Sequence, residues 1–201
     1  MPGWGRVQKE FTEASVRRMN HDVDLLKHLG IEYSIRLDGT VYVPGSVSLS
    51  NKELKQLPDF STIEVMGGFY CYGNELKDLT GAPAYVGEAF DASCNKLESL
   101  RGAPQKVGGR FSCAANQLTS LEHGPDSVGG GYYCHENKLV SLAHGPSECT
   151  LLKCDFGTAE SLEDFTEMRE HLAGYAARKS VVLQGPISVN KPISLKRQLC
   201  V

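Results

Sequence analysis

One phrase of this chain returns at a fixed step of 21 residues. Read from its valine, the unit is Val-Gly-Gly-x-Phe-x-Cys-x-x-Asn-x-Leu-x-x-Leu-x-Gly-Ala-Pro, where x varies. The aromatic position is filled by Phe69, Phe90, Phe111 and Tyr132. The asparagine position is filled by Asn74, Asn95, Asn116 and Asn137. A repeat of this length is typical of chains in which each unit forms one coil and stacks on its neighbours, so the sequence predicts a repeat solenoid.

Each unit predicts the parts of one coil. Because Phe-x-Cys alternates apolar and variable positions, it predicts a short, half-buried strand with the aromatic and cysteine side chains inward. The preceding Gly-Gly predicts a sharp turn at positive φ. Each asparagine is expected to bond the exposed backbone of its turn, so that stacked units form an asparagine ladder. The return segment, stiffened by proline, is too short for a helix and is expected to be loop, polyproline-like or 3₁₀.

The central part of the unit, Phe111-x-Cys113-x-x-Asn116-x-Leu118, resembles the leucine-rich repeat, with Phe and Cys in place of leucines. Its length and its proline are most similar to the short bacterial subtype found in secreted effectors of enteric pathogens, and similar repeats occur in predicted phage proteins. The resemblance spans roughly residues 40–157. It implies an α/β-class solenoid with a parallel β-sheet on the concave face, a loop or 3₁₀ convex face, and helical caps at both ends.

The resemblance implies no particular target. Some effectors of this subtype are ubiquitin ligases, but their catalytic cysteine belongs to a large helical domain that follows the repeats. Only about forty residues follow the repeats here, so that activity is not expected, and Cys200 is interpreted as incidental.

Residues 1–45 are expected to form an N-terminal cap made of a helix and a hairpin. Apolar residues at helical spacing over positions 12–29 predict the helix. Residues 31–43 alternate in part, and Asp38-Gly39 between the two halves is a hairpin-turn signal.

The solenoid is expected over residues 46–157, in about five to six coils. Its first unit is read as an irregular copy with one extra residue between Asn51 and Leu54. Residues 158–201 are expected to form a C-terminal helical cap and a tail, beginning with a helix near Ser161. The tail is either one more strand on the cap or a mobile arm.

Several cysteines share one slot of the repeat, two positions after the aromatic or aliphatic residue. The slot is filled by Cys71, Ala92, Cys113, Cys134 and Cys154. A slot that accepts cysteine or alanine favours a small buried group, so reduced core thiols are predicted. A disulfide between Cys113 and Cys134, on strands about 4.8 Å apart, stays open as an alternative, whereas a zinc site at Cys134 and His135 is discounted. Because neighbouring residues of a strand point to opposite faces and no Cys-x-x-Cys pair occurs, no metal or cofactor is expected.

The residues that alternate with the inward pair have no packing role and are expected to line the concave face. Tyrosine, arginine and histidine recur among them, and these residue types anchor many protein interfaces. This surface is therefore the candidate partner-binding site. Its residues are Tyr70, Tyr72, Asp91, Ser93, Arg110, Ser112, Ala114, Tyr133, His135, Lys153 and Asp155, with Glu136 just beyond its strand.

The sequence favours a non-enzymatic interaction module that binds a target protein, such as a bacterial or phage antagonist or adaptor that inhibits a host or defence protein. The alternative is a nucleic-acid or nucleotide binder that uses the concave tyrosines for stacking and Arg110 for phosphate. A third hypothesis is a hydrolase with acid–base chemistry at His135, Glu136 and Asp155, although no nucleophile motif accompanies them.

Bulk properties constrain these hypotheses. The formal charge of −3 argues against a nucleic-acid binder, because phosphate recognition depends on clustered lysine and arginine. No apolar run approaches the roughly 20 residues that span a bilayer, so no membrane partner is expected. The N-terminus lacks an apolar stretch of signal-peptide type, so a cytoplasmic protein is expected, with signal-less secretion left open. A monomer or a homodimer fits these features equally.

Overall fold

The computed structural model describes residues 12–160, 164, 166–168 and 170. Successive coils of this part of the chain stack in parallel, so that each aromatic residue pairs with the next one 21 positions later. Phe69 pairs with Phe90, Phe90 with Phe111, and Phe111 with Tyr132. The predicted repeat solenoid is therefore confirmed.

Within residues 12–45, the N-terminal cap contains one helix and one hairpin. Helix α1, Glu13–His28, begins after Thr12, whose Oγ1 accepts a hydrogen bond from the Ser15 amide at 3.2 Å. Strands β1, Ser34–Ile35, and β2, Val41–Val43, pair antiparallel. Both the helix and the hairpin agree with the sequence prediction, and β2 also pairs with the first coil.

Two sheets run the length of the solenoid. The sheet that we call the side sheet has the order β1-β2-β4-β6-β8-β10. Its coil strands are β4 (Glu64–Val65), β6 (Tyr85–Val86), β8 (Lys106–Val107) and β10 (Ser127–Val128). The sheet that we call the front sheet has the order β13-β12-β11-β9-β7-β5-β3. Its strands are β3 (Val47–Ser48), β5 (Phe69–Tyr70), β7 (Phe90–Asp91), β9 (Phe111–Ser112), β11 (Gly131–Tyr133), β12 (Leu151–Cys154) and β13 (Gly157–Ala159).

The side sheet corrects the expectation that the return segment is only loop, polyproline-like or 3₁₀. Coil stacking at strand spacing lets the end of each return segment pair with its neighbour. The amide of Gly87 donates to the Val65 carbonyl at 2.8 Å, and the amide of Gly108 donates to the Val86 carbonyl at 2.9 Å. The valines of this sheet are buried, so they complete the core behind the front strands.

The glycines between the two sheets correct a second expectation. The Gly-Gly corners do not have positive φ; positive φ occurs at other glycines, such as Gly81 and Gly102. A Cβ at Gly108 would instead lie well inside van der Waals contact of the Gly87 carbonyl oxygen in the preceding coil. Glycine is needed at this corner because the neighbouring backbone approaches too closely for any side chain.

The core is a column of aromatic rings with small groups beside it. The rings of Phe69 and Phe90 are stacked at 5.6 Å, those of Phe90 and Phe111 at 5.4 Å, and Tyr132 follows Phe111 at 4.9 Å. The neighbouring slot holds buried, free thiols, among them Cys113. Burial raises the pKa of the Cys113 thiol far above its usual range, so this group stays protonated and unreactive.

The asparagine ladder is present and ties each coil to the one before it. Asn116 Nδ2 donates to the Cys113 carbonyl of its own coil at 3.1 Å and to the Ala92 carbonyl of the preceding coil at 3.0 Å. Its Oδ1 accepts from the Leu97 amide at 2.9 Å. Asn74, Asn95 and Asn137 make the equivalent bonds. Each side chain therefore satisfies backbone groups that the turn would otherwise leave unpaired.

The first coil departs from its predicted register. Asn51 has φ 55°, the same value as Cys94, which immediately precedes the ladder asparagine of its coil. Asn51 therefore occupies the position before the ladder asparagine and not the ladder position itself. The Leu54 amide donates a hydrogen bond to Asn74 Oδ1 at 3.0 Å, just as the Leu76 amide donates to Asn95 Oδ1 in the next coil. The extra residue therefore does not lie between Asn51 and Leu54, as predicted. It lies in the return segment, beyond the second leucine. The offset of 22 residues between the first two coils is already present at the start of the coil, where β3 pairs with β5.

The C-terminal end of the solenoid is a hairpin. Strand β12 continues the parallel stack on β11, and β13 then turns back antiparallel on β12. The sequence predicted β12 but not β13. Residues 164, 166–168 and 170 are helical, while the remainder of the predicted C-terminal helix, the tail and Cys200 lie outside the described residues. None of the described helices has the length and apolar character to cross a bilayer.

Candidate binding face

The outward surface of the front sheet, which we call the front face, carries the residues predicted for partner binding. Phe69 is buried while Tyr70 next to it is half-buried, and Cys134 is buried while His135 is half-buried. This alternation places the predicted residues on the side of the sheet away from the core. Tyr72, Arg110, Lys153, Asp155 and Glu136 are exposed, whereas Ser112 and Ala114 are buried among their neighbours.

An open depression of about 350 Å³ lies in the middle of the front face. Its lining is formed by Asp91, Ser93, Cys94, Arg110, Ser112, Ala114, Ala115, Tyr133, His135 and Glu136. The predicted residues of the three central coils are therefore brought together around one concavity. Tyr70, Tyr72, Lys153 and Asp155 lie outside this lining.

Two lining residues, Cys94 and Ala115, were missed by the sequence analysis. Both have left-handed backbone conformations, with φ of 55° and 54°, at the position immediately before the ladder asparagine. Glu136 has the same conformation in the next coil, with φ 56°. In the sequence both are variable positions of the repeat, and the alternation that marks the strand does not extend to them. Their signal in the sequence is only their fixed distance from the asparagine.

The two half-buried tyrosines of the front face lie over glycines. A Cβ at Gly68 would meet the Tyr70 ring, and a Cβ at Gly131 would meet the Tyr133 ring. The glycine two positions before each tyrosine thus leaves room for the ring to lie back along its strand. This packing fixes the position of the rings before any partner binds, which reduces the entropy lost on binding.

Arg110 is the free cation at the depression. Within residues 12–160, none of the hydrogen bonds or ion pairs engages its guanidinium group. Of the lining carboxylates, Asp91 accepts from the Ser93 amide through Oδ1 at 3.0 Å, and neither Asp91 nor Glu136 forms an ion pair with Arg110 among the described residues. The guanidinium group is therefore available to an acceptor that comes from outside the chain.

His135 presents a neutral imidazole to the same depression. Partial burial, and then the nearby Lys153 ammonium group, lower the pKa of His135 below its usual value, so the ring is uncharged at neutral pH. Its Nδ1 is buried and has no hydrogen-bond partner among the described residues. The ring lies edge-on to Tyr133, with centroids 6.5 Å apart. The uncharged ring therefore contributes a polar, aromatic surface to the depression without adding charge.

The geometry gives less support to metal or acid–base chemistry. Cys134 points into the core and His135 points outward, so they do not converge on one ion. Within the part of the chain that the structure describes, no group of three or more histidine, cysteine, aspartate or glutamate residues is placed to hold a metal. No described hydroxyl group forms a hydrogen bond with His135.

The fold and the front face together define the chain as a repeat solenoid of parallel β-coils with a lined depression on one sheet. No family model, no curated protein and no solved structure matches the chain.

Proposed function

We propose that this chain is a non-enzymatic interaction module, similar to the leucine-rich repeats, that binds a target protein through its front face. The observation that carries the proposal is the central depression, where an unpaired arginine, a neutral histidine and an immobilised tyrosine line one concavity of about 350 Å³. Arginine and tyrosine are the residue types that most often supply binding energy at protein interfaces. An open depression between them admits a side chain of the partner.

The packing of the front face supports this proposal. The inward residues of each front strand are held by the aromatic column and the asparagine ladder. The outward residues therefore stand on a rigid support, which positions them without a large loss of entropy on binding. Solenoids commonly use such an extended sheet surface to bind partners.

The charges of the front face favour a protein over a nucleic acid. Arg110 and Lys153 are opposed by Asp91, Glu136 and Asp155, so the face has no cationic excess. Binding to a phosphate backbone needs clustered cations, and its affinity falls steeply with salt. A protein interface with this mixture of aromatic, polar and charged groups should depend much less on salt.

The resemblance to short bacterial repeats suggests the setting. A repeat array that presents a rigid outward face is suited to an antagonist or adaptor in a bacterial or phage system. In that role, the front face blocks or bridges a host or defence protein. The cytoplasm of a bacterial cell is then the compartment in which the chain acts.

The test is an affinity capture from bacterial lysate at moderate salt with two matched double variants. The first, Arg110→Glu with Tyr133→Ala, reverses one cation and truncates one tyrosine on the front face. The second, Lys106→Glu with Tyr85→Ala, makes the same two changes on the outward side of the side sheet. Both pairs lie away from the core column, so differences in capture report on the face used.

A protein that is captured by the wild type and by the side-sheet variant, but lost with the front-face variant, is the expected result. Equal capture by the front-face variant would contradict the proposal and move the site elsewhere on the molecule. Co-purified nucleic acid, released by raising the salt concentration, would favour the nucleotide-binding alternative instead.

A further inference from the structure

The side sheet ends at an edge that the described residues leave open. Strand β1 directs the Arg36 amide toward β2, where it donates to the Thr40 carbonyl at 2.9 Å. Because alternate residues of a strand direct their peptide groups to opposite edges, Tyr33 and Ile35 direct theirs away from β2. Among the described residues, neither amide donates to a partner. This edge can therefore accept another strand.

The side chains along β1 do not protect this edge. Ile35 is 45% exposed and Leu37, in the adjoining turn, is fully exposed at 102%. Edge strands are protected by short length, charged side chains, proline or a bulge; β1 is short and has charged neighbours, but it contains neither a proline nor a bulge. A second open depression of about 410 Å³, lined by Gly30–Ser34 and Pro44, lies along the same segment. Among the other terminal strands of the two sheets, β3 carries the small polar residues Ser46, Ser48 and Ser50 instead.

We propose that β1 pairs antiparallel with β1 of a second copy of this chain, around a two-fold axis at Ser34. In this register, Tyr33 lies opposite the partner's Ile35, and both outward peptide groups of each strand are satisfied. The two side sheets then join into one continuous sheet. A two-fold axis makes the contact self-complementary and closed, so it produces a dimer rather than a fibre.

The charges beside the strand select this register. With the axis at Ser34, Glu32 lies opposite the partner's Arg36, and the symmetric pair forms on the other side. Glu32 is exposed, and no ion pair engages it among the described residues, while Arg36 also pairs with Glu64 and lies over the Tyr42 ring at 4.8 Å. The two adjacent antiparallel registers that keep the outward peptide groups paired would place Glu32 opposite serine or opposite Asp38. Opposite charges on facing positions stabilise a pair of strands, and like charges destabilise it.

The predicted contact is small, because it consists of one short strand from each copy and two ion pairs at its rim. Stable dimers usually bury larger surfaces, so we expect a dissociation constant of about 10–100 µM. Such a dimer presents two front faces at a fixed separation, which strengthens binding to a target that offers two copies of its site.

The test is sedimentation velocity of the full chain over about 5–500 µM, a range chosen to bracket the expected dissociation constant. Ile35→Pro removes the outward amide donor but leaves the bonds to β2, since proline is tolerated at an edge position of this kind. Glu32→Arg places like charges opposite one another at an exposed position where folding is not at risk. Ile35→Val keeps the amide, the β-branch and most of the apolar surface, and serves as the matched control.

The wild type and Ile35→Val should form a dimer with similar dissociation constants, and each of the other two variants should raise the constant at least about tenfold. A wild-type chain that stays monomeric throughout the range would overturn the proposal, whether or not another segment covers the edge. A dimer that neither Ile35→Pro nor Glu32→Arg weakens would also overturn it, because its contact would then lie elsewhere.

Discussion

At the scale of single residues, the asparagines hold the coils together. Asn74, Asn95 and Asn116 are 7–9% exposed, and their amides donate to carbonyls of two successive coils. A side chain that makes so many bonds to backbone cannot be replaced by an apolar group without leaving buried donors and acceptors unpaired.

Asn116→Ala should therefore lower the free energy of unfolding by about 1–3 kcal/mol. The loss arises because the carbonyls of Ala92 and Cys113 and the amide of Leu97 all lose their side-chain partner. Urea denaturation provides the measurement, and Gln117→Ala, at the exposed neighbouring position, is the control. An unchanged free energy of unfolding in Asn116→Ala would mean that the ladder contributes nothing to stability.

At the scale of elements, each coil depends on a slot that is filled by a buried thiol or by alanine. Burial raises the pKa of Cys71, Cys113 and Cys134 in the folded chain. In the unfolded chain a thiol titrates near pH 8.5, as a rough value. The folded state thus retains protons that the unfolded state releases at alkaline pH. Each buried thiol contributes its stability fully below the unfolded pKa, and this contribution is lost as the pH rises above it.

Cys113→Ala should make the stability less sensitive to alkaline pH. Above the pKa of the unfolded thiol, each buried thiol lowers the free energy of unfolding by about 1.4 kcal/mol per pH unit. Between pH 7.5 and pH 10, the free energy of unfolding should therefore fall by about 2 kcal/mol more in the wild-type chain than in the variant. The measurement is urea denaturation at the two pH values in the presence of a reductant. Alanine fits this slot, as Ala92 shows, so the variant should fold. Equal losses in the two proteins would indicate that Cys113 ionises freely in the folded state.

The elements also show which parts of the fold a sequence can predict. The front strands were predictable because Phe-x-Cys alternates and recurs with the asparagine. The side strands were not, since the single inward valine of β6 and of β8 is followed at once by glycine and leaves no alternation to recognise. The register of the first coil was misread at Asn51, because an asparagine at a left-handed position cannot be told from a ladder asparagine by identity alone.

The candidate site was predictable to a similar extent. Strand alternation identified Arg110, Tyr133 and His135, which the structure brings around one depression. Cys94 and Ala115 were missed because their side chains reach the face through a turn conformation rather than through strand periodicity. The unpaired state of Arg110 depends on which hydrogen bonds its neighbours make, and one sequence does not contain that information.

At the scale of the whole molecule, the solenoid separates structural from binding residues. Aromatic rings, thiols and asparagines are used for stacking, while the outward row of the front sheet is left for other contacts. Repeat proteins derive stability from each coil packing on its neighbours, so residues of the outward row can change without loss of the fold. Function should therefore depend on the front face, and stability should depend on the column behind it.

The most direct test of that claim is the alkylation rate of Cys94, which is an exposed native thiol in the lining of the depression. The rate is followed by mass spectrometry of its peptide, with and without the protein captured in the affinity experiment. At a partner concentration about ten times the dissociation constant, the rate should fall about tenfold, because only the free fraction reacts. An unchanged rate at Cys94 in a demonstrated complex would contradict binding through the front face.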